Sequence, residues 1–145
     1  MRIHVRLLST VVATGALLVG CGSSSGESLE DWYSSGGEKS IKALSEASSR
    51  VNEVSVRPMD TWGAACKELL TEVAEAEELD AIPSENAEGF WKEALTLFED
   101  GGNECVAGAE ADDQPRASAG IREVQKGIGR LSSTTSMIAG DLKAE

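Results

Sequence analysis

The sequence predicts an all-α fold: a small antiparallel helical bundle of three to four helices, with one helical hairpin closed by a disulfide. Three observations lead there. From residue 38 onward apolar residues recur at alternating steps of three and four, and no convincing strand pattern appears. Pro58, Pro83 and Pro115 punctuate the chain at intervals of helical length. Two cysteines, Cys66 and Cys105, fall on the apolar seams of neighbouring stretches.

The first helix is expected over residues 38–56. Ile41, Leu44, Ser48, Val51 and Ser55 share one face, with Ala47 and Val54 beside it and Pro58 limiting the end. The second starts near Asp60 or Thr61, either of which can cap exposed N–H groups. It runs to about Ala81 with Trp62, Cys66, Leu69, Val73 and Ala76 on its seam and Leu70 adjacent. Pro83-Ser84 then forces a turn. The third stretch, about 84–109, carries Ala87, Trp91, Ala94, Phe98, Gly101 and Cys105 on one stripe, flanked by Phe90, Leu95 and Leu97. Gly101-Gly102 weakens it by about 1 kcal/mol per residue relative to Ala, so a kink or break is expected there. The fourth begins after Asp112-Asp113, with Pro115 in its first turn. Its seam is Ala117, Ile121, Val124, Ile128, Leu131, Thr135 and Ile138, the cleanest period in the chain. Gly120, Gly127 and Gly129 lower the intrinsic stability of this helix, which must therefore depend on packing.

Cys66 precedes Pro83 by 17 residues and Cys105 follows it by 22. In an antiparallel hairpin turning at Pro83 the two arms differ by about 7 to 8 Å at 1.5 Å per residue, which loop geometry or a kink at Gly101-Gly102 absorbs. The pair can meet, and closing such a loop contributes about 4 kcal/mol in the chain-entropy model. Two reduced core cysteines are the alternative.

The N-terminal 20 residues have the arrangement of an export signal. Arg2, His4 and Arg6 form a basic start, Leu7 to Val19 form an apolar stretch too short to span a bilayer comfortably, and Gly20 is small. Leu18-Val19-Gly20-Cys21 resembles the lipobox of bacterial lipoproteins, in which aliphatic and small residues precede an acylated cysteine. By that resemblance residues 1–20 are a removed signal peptide. Cys21 becomes the N-terminus, bearing a diacylglycerol thioether, with palmitate-type acylation, on the extracytoplasmic face of the cell membrane. Residues 21–37 are then the lipidated cysteine and a Gly/Ser-rich tether, spanning about 20 to 25 Å as a random coil. Trp32 and Tyr33 interrupt it and are expected to dock on the domain, which occupies residues 38–145; the alternative is that they start the first helix early.

The full chain of 145 residues has a net charge of −12. Loss of Arg2 and Arg6 leaves 11 basic against 25 acidic residues, a net charge of −14. Such a field disfavours nucleic acid and anionic headgroups and leaves a cationic or envelope-protein partner possible. The only histidine, His4, lies in the signal, which removes the commonest general base and zinc ligand from the mature chain. Serines and threonines have no nucleophile elbow around them. Glu72, Glu75, Glu77, Glu78 and Asp80 are the densest carboxylates, with Glu72 and Glu75, and Glu75 and Glu78, placed to share a helical face. They read as a solvated surface, since no histidine or ligand loop accompanies them. Asp100-Gly101-Gly102-Asn103-Glu104 mixes oxygen donors with glycine but fails the calcium-loop register, because Gly102 falls at the third position and Cys105 at the sixth. No catalytic residue, metal site or cofactor is therefore assigned. Trp62, Trp91 and Phe98 read as core.

Cys66 on an acidic, Ala-rich helix, then Ile82-Pro83, then Trp91 and an Ala/Leu/Phe stripe leading to Cys105 and Gly108 resembles the small, mostly uncharacterised secreted or lipid-anchored helical proteins of high-GC Gram-positive bacteria. The resemblance covers about residues 60–110 and the signal, and it carries no activity. The expectation is a non-catalytic, membrane-anchored envelope interaction module. The alternatives are a small-ligand-binding lipoprotein and, further off, a carboxylate-dependent cell-wall hydrolase.

Overall fold

The computed structural model describes residues 25–144, so the expected signal and Cys21 lie outside the described residues. Five α-helices follow one another: α1 Ser25–Trp32, α2 Glu38–Val54, α3 Trp62–Glu77, α4 Glu85–Glu110 and α5 Gln114–Asp141. A π-helical turn, Tyr33–Gly37, joins α1 to α2, and a 3₁₀ turn, Met59–Thr61, precedes α3. The fold is all-α. Helices α2 to α5 pack as an antiparallel bundle in which α4 and α5 make the longest seam, α3 lies against α4, and α2 closes the ring against α3 and α5.

The helical periodicity maps onto the interior. All five seam residues of α3 and all six of α4 are buried, and Phe98, Cys66, Cys105, Leu69 and Ala94 are fully enclosed. In α2, Leu44, Ala47, Ser48 and Val51 are buried, while Ile41 and Val54 pack half-exposed at the edge. Ser48 is satisfied within its own helix by donating to the Ser45 carbonyl, 3.2 Å away. The α5 seam is rotated slightly from the expected stripe. Thr134 rather than Thr135 is buried, and Gly120 and Gly127 lie on the same inward row.

Capping chemistry explains the helix ends around two of the turns. Ser84 accepts from the Ala87 N–H at the start of α4, and Glu88 reaches back to accept from the Ile82 N–H at 2.8 Å. Asp113 accepts from the Arg116 N–H at the start of α5. At the end of α4 the Asp113 N–H donates to the Gly108 carbonyl and the Asp112 N–H to the Ala109 carbonyl, with Asp112 at φ 55°. That is a Schellman closure with Asp in the position usually given to Gly. The expected side-chain cap of α3 is not made. Thr61 is already in αR conformation and its hydroxyl donates to the Pro58 carbonyl, because the 3₁₀ turn takes up the chain before α3 begins.

Three expectations are corrected. Residues 25–37, expected as tether, form α1 and a turn kinked at Gly36, with Leu29 and Trp32 buried. Helix α3 ends at Glu77 rather than near Ala81, since Ile82 precedes a proline, which disfavours helix there, and enters the core at 4 % exposure. No break occurs at Gly101-Gly102, and α4 runs unbroken from Glu85 to Glu110. The difference in arm length between Cys66 and Cys105 is absorbed by residues 78–84, which climb about 13 Å along the bundle.

Gly101 does not kink α4 because it is a point of helix contact. A Cβ there would stand 2.7 Å from the Gly120 carbonyl oxygen and 2.8 Å from the Val124 nitrogen. A Cβ at Gly120 would stand 2.5 Å from the Cys105 nitrogen and from the Gly101 oxygen, and one at Gly108 would strike the Ala117 backbone. The two helices therefore meet backbone to backbone, and these three glycines are compulsory where a neutral reading of propensity counts them as weaknesses. Charge reinforces the seam. Helix α4 carries seven carboxylates and one lysine, whereas α5 carries four cations and two carboxylates. Arg116 pairs with Glu104 at 2.7 Å and Arg130 with Glu93 at 2.9 Å across it.

Gly120→Ala is expected to destabilise the oxidised domain by about 1 to 3 kcal/mol through overpacking. Gly129→Ala, nine residues further on with nothing within 4 Å of its Cβ position, is expected to stabilise it by about 0.5 to 1 kcal/mol. Urea unfolding followed by circular dichroism checks both, and a neutral Gly120→Ala would contradict backbone contact between α4 and α5.

Candidate functional site

The carboxylate stretch does not assemble into a centre. Glu72 and Glu75 lie on α3 beside Ser35, Gly36, Lys39, Ser40 and Ala43, lining a shallow groove of about 260 Å³ between the start of α2 and the end of α3. Glu78 and Asp80 fall beyond the end of α3 and are exposed. Among the described residues no group of three or more His, Cys, Asp or Glu side chains is placed to hold a metal ion. Residues 100–104 are internal to α4 and form no loop; Gly101 faces α5 and Gly102 faces Leu70.

Cys66 and Cys105 form the disulfide, with Cα atoms 6.2 Å apart and both residues at 0 % exposure. It closes the hairpin at the end opposite Pro83, so α3 and α4 are joined covalently at both ends. Removing it with Cys66→Ala is expected to cost a few kcal/mol, up to about 4 in the chain-entropy model, measured as a fall in the unfolding midpoint of the non-reduced protein. Equal stability of the variant and the oxidised wild type would exclude a structural disulfide.

Two surface grooves flank the exposed ridge of α4. One, of about 460 Å³, lies over the α3–α4 turn between Ala76, Leu79, Asp80, Trp91 and Leu95. Of the three carboxylates that line it, Glu77 and Asp80 are exposed, and Glu88 is fully engaged, Oε2 by the Ile82 N–H and Oε1 by Lys92 at 2.8 Å, which gives it a structural task. The other, of about 870 Å³, runs between α4 and α5 along Lys92, Glu93, Thr96, Leu97, Lys126 and Arg130. Its cations are paired with Glu88, Glu123 and Glu93, and the Arg130 guanidinium also lies 5.8 Å from the Phe90 ring centre. The aromatics Trp62, Trp91 and Phe98 are core, as their spacing indicates; the Trp62 indole donates to the Arg57 carbonyl at 3.0 Å.

The feature least visible in the sequence is the clamp on the N-terminal segment. The Trp32 indole N–H donates to the Asp80 carbonyl at 2.7 Å, and its ring meets Trp91 edge-on at 6.1 Å. The ring packs on Gly37, where any Cβ would collide with it. Gly36 adopts φ 154° and ψ −20°, which only glycine enters readily, and lets α1 turn away from α2 beside Leu79. Leu29, one turn earlier, is 1 % exposed. Gly36 and Gly37 read in sequence as tether; the paired aromatic Trp32 is the signal that pointed the other way.

Electrostatics single out one surface pair. The Arg116 guanidinium donates two hydrogen bonds to the Glu104 carboxylate, at 2.7 and 3.1 Å, and lowers its pKa; the carboxylate in turn raises that of Arg116. A carboxylate with a lowered folded-state pKa contributes stability above its unfolded pKa of about 4.3 and loses it as pH falls through the folded value. The Glu104 titration midpoint, followed by NMR, is expected below the ordinary glutamate value and is expected to rise in Arg116→Gln; an unchanged midpoint would show the pair is not formed in solution.

No helix among the described residues is long and apolar enough to cross a membrane. Comparison of the chain with protein-family models, with curated proteins and with solved structures finds no match.

Proposed function

We propose that the chain is a lipoprotein of the extracytoplasmic face of the cell membrane, whose helical domain is a non-catalytic module that contacts other components of the envelope. The observation that carries this is Leu18-Val19-Gly20-Cys21 directly after a basic start and a short apolar stretch. The structure supports the reading in two ways. A buried disulfide suits a compartment where disulfides persist. The interior of the bundle is filled by its own side chains, and the titratable residues that line the two grooves beside α4 are engaged in ion pairs or exposed to solvent, an arrangement suited to recognition rather than to acid–base work.

The alternative of a small-ligand-binding lipoprotein draws on the α4–α5 groove, whose volume of about 870 Å³ falls within the range of small-molecule sites. A carboxylate-dependent hydrolase would need two free carboxyls facing each other across a cleft at about 5 to 10 Å, and Glu88, the half-buried carboxylate of the groove over the α3–α4 turn, is already held by Ile82 and Lys92.

Cys21→Ser is expected to move the protein from the membrane fraction to the soluble extracytoplasmic fraction, and mass spectrometry of the wild type should find an N-terminal peptide that begins at acylated Cys21. Full-length wild-type protein recovered from the cytosol would overturn the anchoring. Affinity capture with the mature domain from envelope extracts, run beside a turnover assay on cell-wall fragments, tests the non-catalytic part. Turnover abolished by a single Glu→Gln change, with no stable partner recovered, would overturn it.

A further inference from the structure

Only three residues separate Cys21 from Ser25, the first residue of α1. Such a segment spans at most about 14 Å even when fully extended. Helix α1 itself adds about 10 Å between Ser25 and Trp32. An anchor at Cys21 is therefore tied within about 25 Å of the Trp32 clamp, and the position of that clamp decides which part of the bundle the anchor serves.

The clamp is at one end. The start of α2 lies there, with Gly36 against Leu79; so does the end of α3, whose continuation supplies the Asp80 carbonyl to Trp32. The start of α4 and the end of α5 meet at the same end, where the Ser84 hydroxyl donates to Asp141 Oδ2 at 2.6 Å. Helix α1 makes no long seam along α2, α3, α4 or α5 and is held through Leu29 and Trp32. The opposite end of the bundle carries residues 55–61 and the α4–α5 turn, with Val56 at 88 % exposure. Along α2 the two ends are about 25 Å apart.

We infer that the bundle stands on the bilayer by its Pro83 end, with the 55–61 loop and the α4–α5 turn directed away from the lipid surface. The inference rests on acylation of Cys21 as proposed above, and adds an orientation to it. Adhesion does not produce this posture. Glu30, Asp31, Glu77, Glu78, Asp80 and Glu85 are all exposed around the Pro83 end, and they are repelled by anionic headgroups over roughly the 8 Å of a physiological Debye length. The covalent leash and the Trp32 clamp hold the end near the lipid while its charge keeps it hydrated. The posture is therefore set by chain length and docking, and it persists on a neutral bilayer.

The test uses the full chain, processed and acylated in cells and reconstituted into phosphatidylcholine vesicles. A thiol-coupled dye is placed at Ala81→Cys, beside Pro83, or at Val56→Cys, at the far end, and energy transfer to acceptors on the lipid headgroups is measured. The buried Cys66–Cys105 pair takes no label. Transfer from position 81 is expected to exceed that from position 56 by roughly two-fold or more, given about 25 Å of helix between the ends. Equal transfer, or more transfer from position 56, overturns the orientation. Gly37→Ala pushes Trp32 off its seat and frees residues up to 37 to lengthen the leash; Trp32→Ala does the same without adding a Cβ. In either variant, with the bundle verified as folded by circular dichroism, the ratio is expected to fall toward one. A ratio that survives both overturns the clamp as its cause. Failure of the anchoring itself reads out separately, because wild-type protein with unacylated Cys21 takes up a dye and leaves the vesicles.

Discussion

Helices α4 and α5 approach so closely that at Gly101, Gly108 and Gly120 nothing larger than a hydrogen fits between one backbone and the other. The other packing follows from that approach. It sets the level of Cys105 on the seam and so the place at which α3 is bonded, and it brings Arg116 and Arg130 within reach of the carboxylates of α4. Dispersion acts over many atoms at such a seam, and each backbone atom in contact there replaces a side-chain contact that would have cost rotamer entropy. A helix with several glycines is weak by itself and becomes strong only in this company, so α5 and α4 must form together.

Covalent closure is the second constraint. With the Pro83 turn at one end and Cys66–Cys105 at the other, α3 and α4 form a ring in which neither helix can slide or peel independently. Helix α2 has no such closure. It is held by Leu44, Ala47 and Val51 in the core and by a side-chain hydrogen bond from Gln125 to Asn52 at 2.8 Å. Local opening of the fold therefore belongs to the N-terminal side of the chain, while the ring and α5 form its most persistent part.

The seams of α3 and α4 were legible in the sequence because large residues such as Trp62, Leu69, Trp91 and Phe98 recur at helical spacing with charges between them. The disulfide was legible from parity and from the hairpin. What the pattern could not convey is carried by residues whose meaning depends on a neighbour far along the chain. Gly101 and Gly120 read as helix breakers until each is seen to make room for the other's backbone. Gly36 and Gly37 read as tether until Trp32 is seen lying against Gly37 with its N–H turned to Asp80, 48 residues away. The end of α3 moved for the same reason: Glu78, Leu79 and Ala81 have good helical propensity, but Ile82 gains more by entering the core than a further turn of helix would give. The grooves beside α4 arise from the curvature and spacing of packed helices, which periodicity within one helix does not encode.

The Trp32 clamp also determines how the protein responds to load. A pull applied at the N-terminus travels along α1 and reaches the rest of the molecule through the buried Leu29, one indole hydrogen bond, an edge-on ring contact and the kink at Gly36. Those contacts yield long before the disulfide-closed ring or the glycine seam, so the first turns of the chain act as a mechanical fuse. Tension is spent in unpeeling α1, and the folded bundle behind it stays intact.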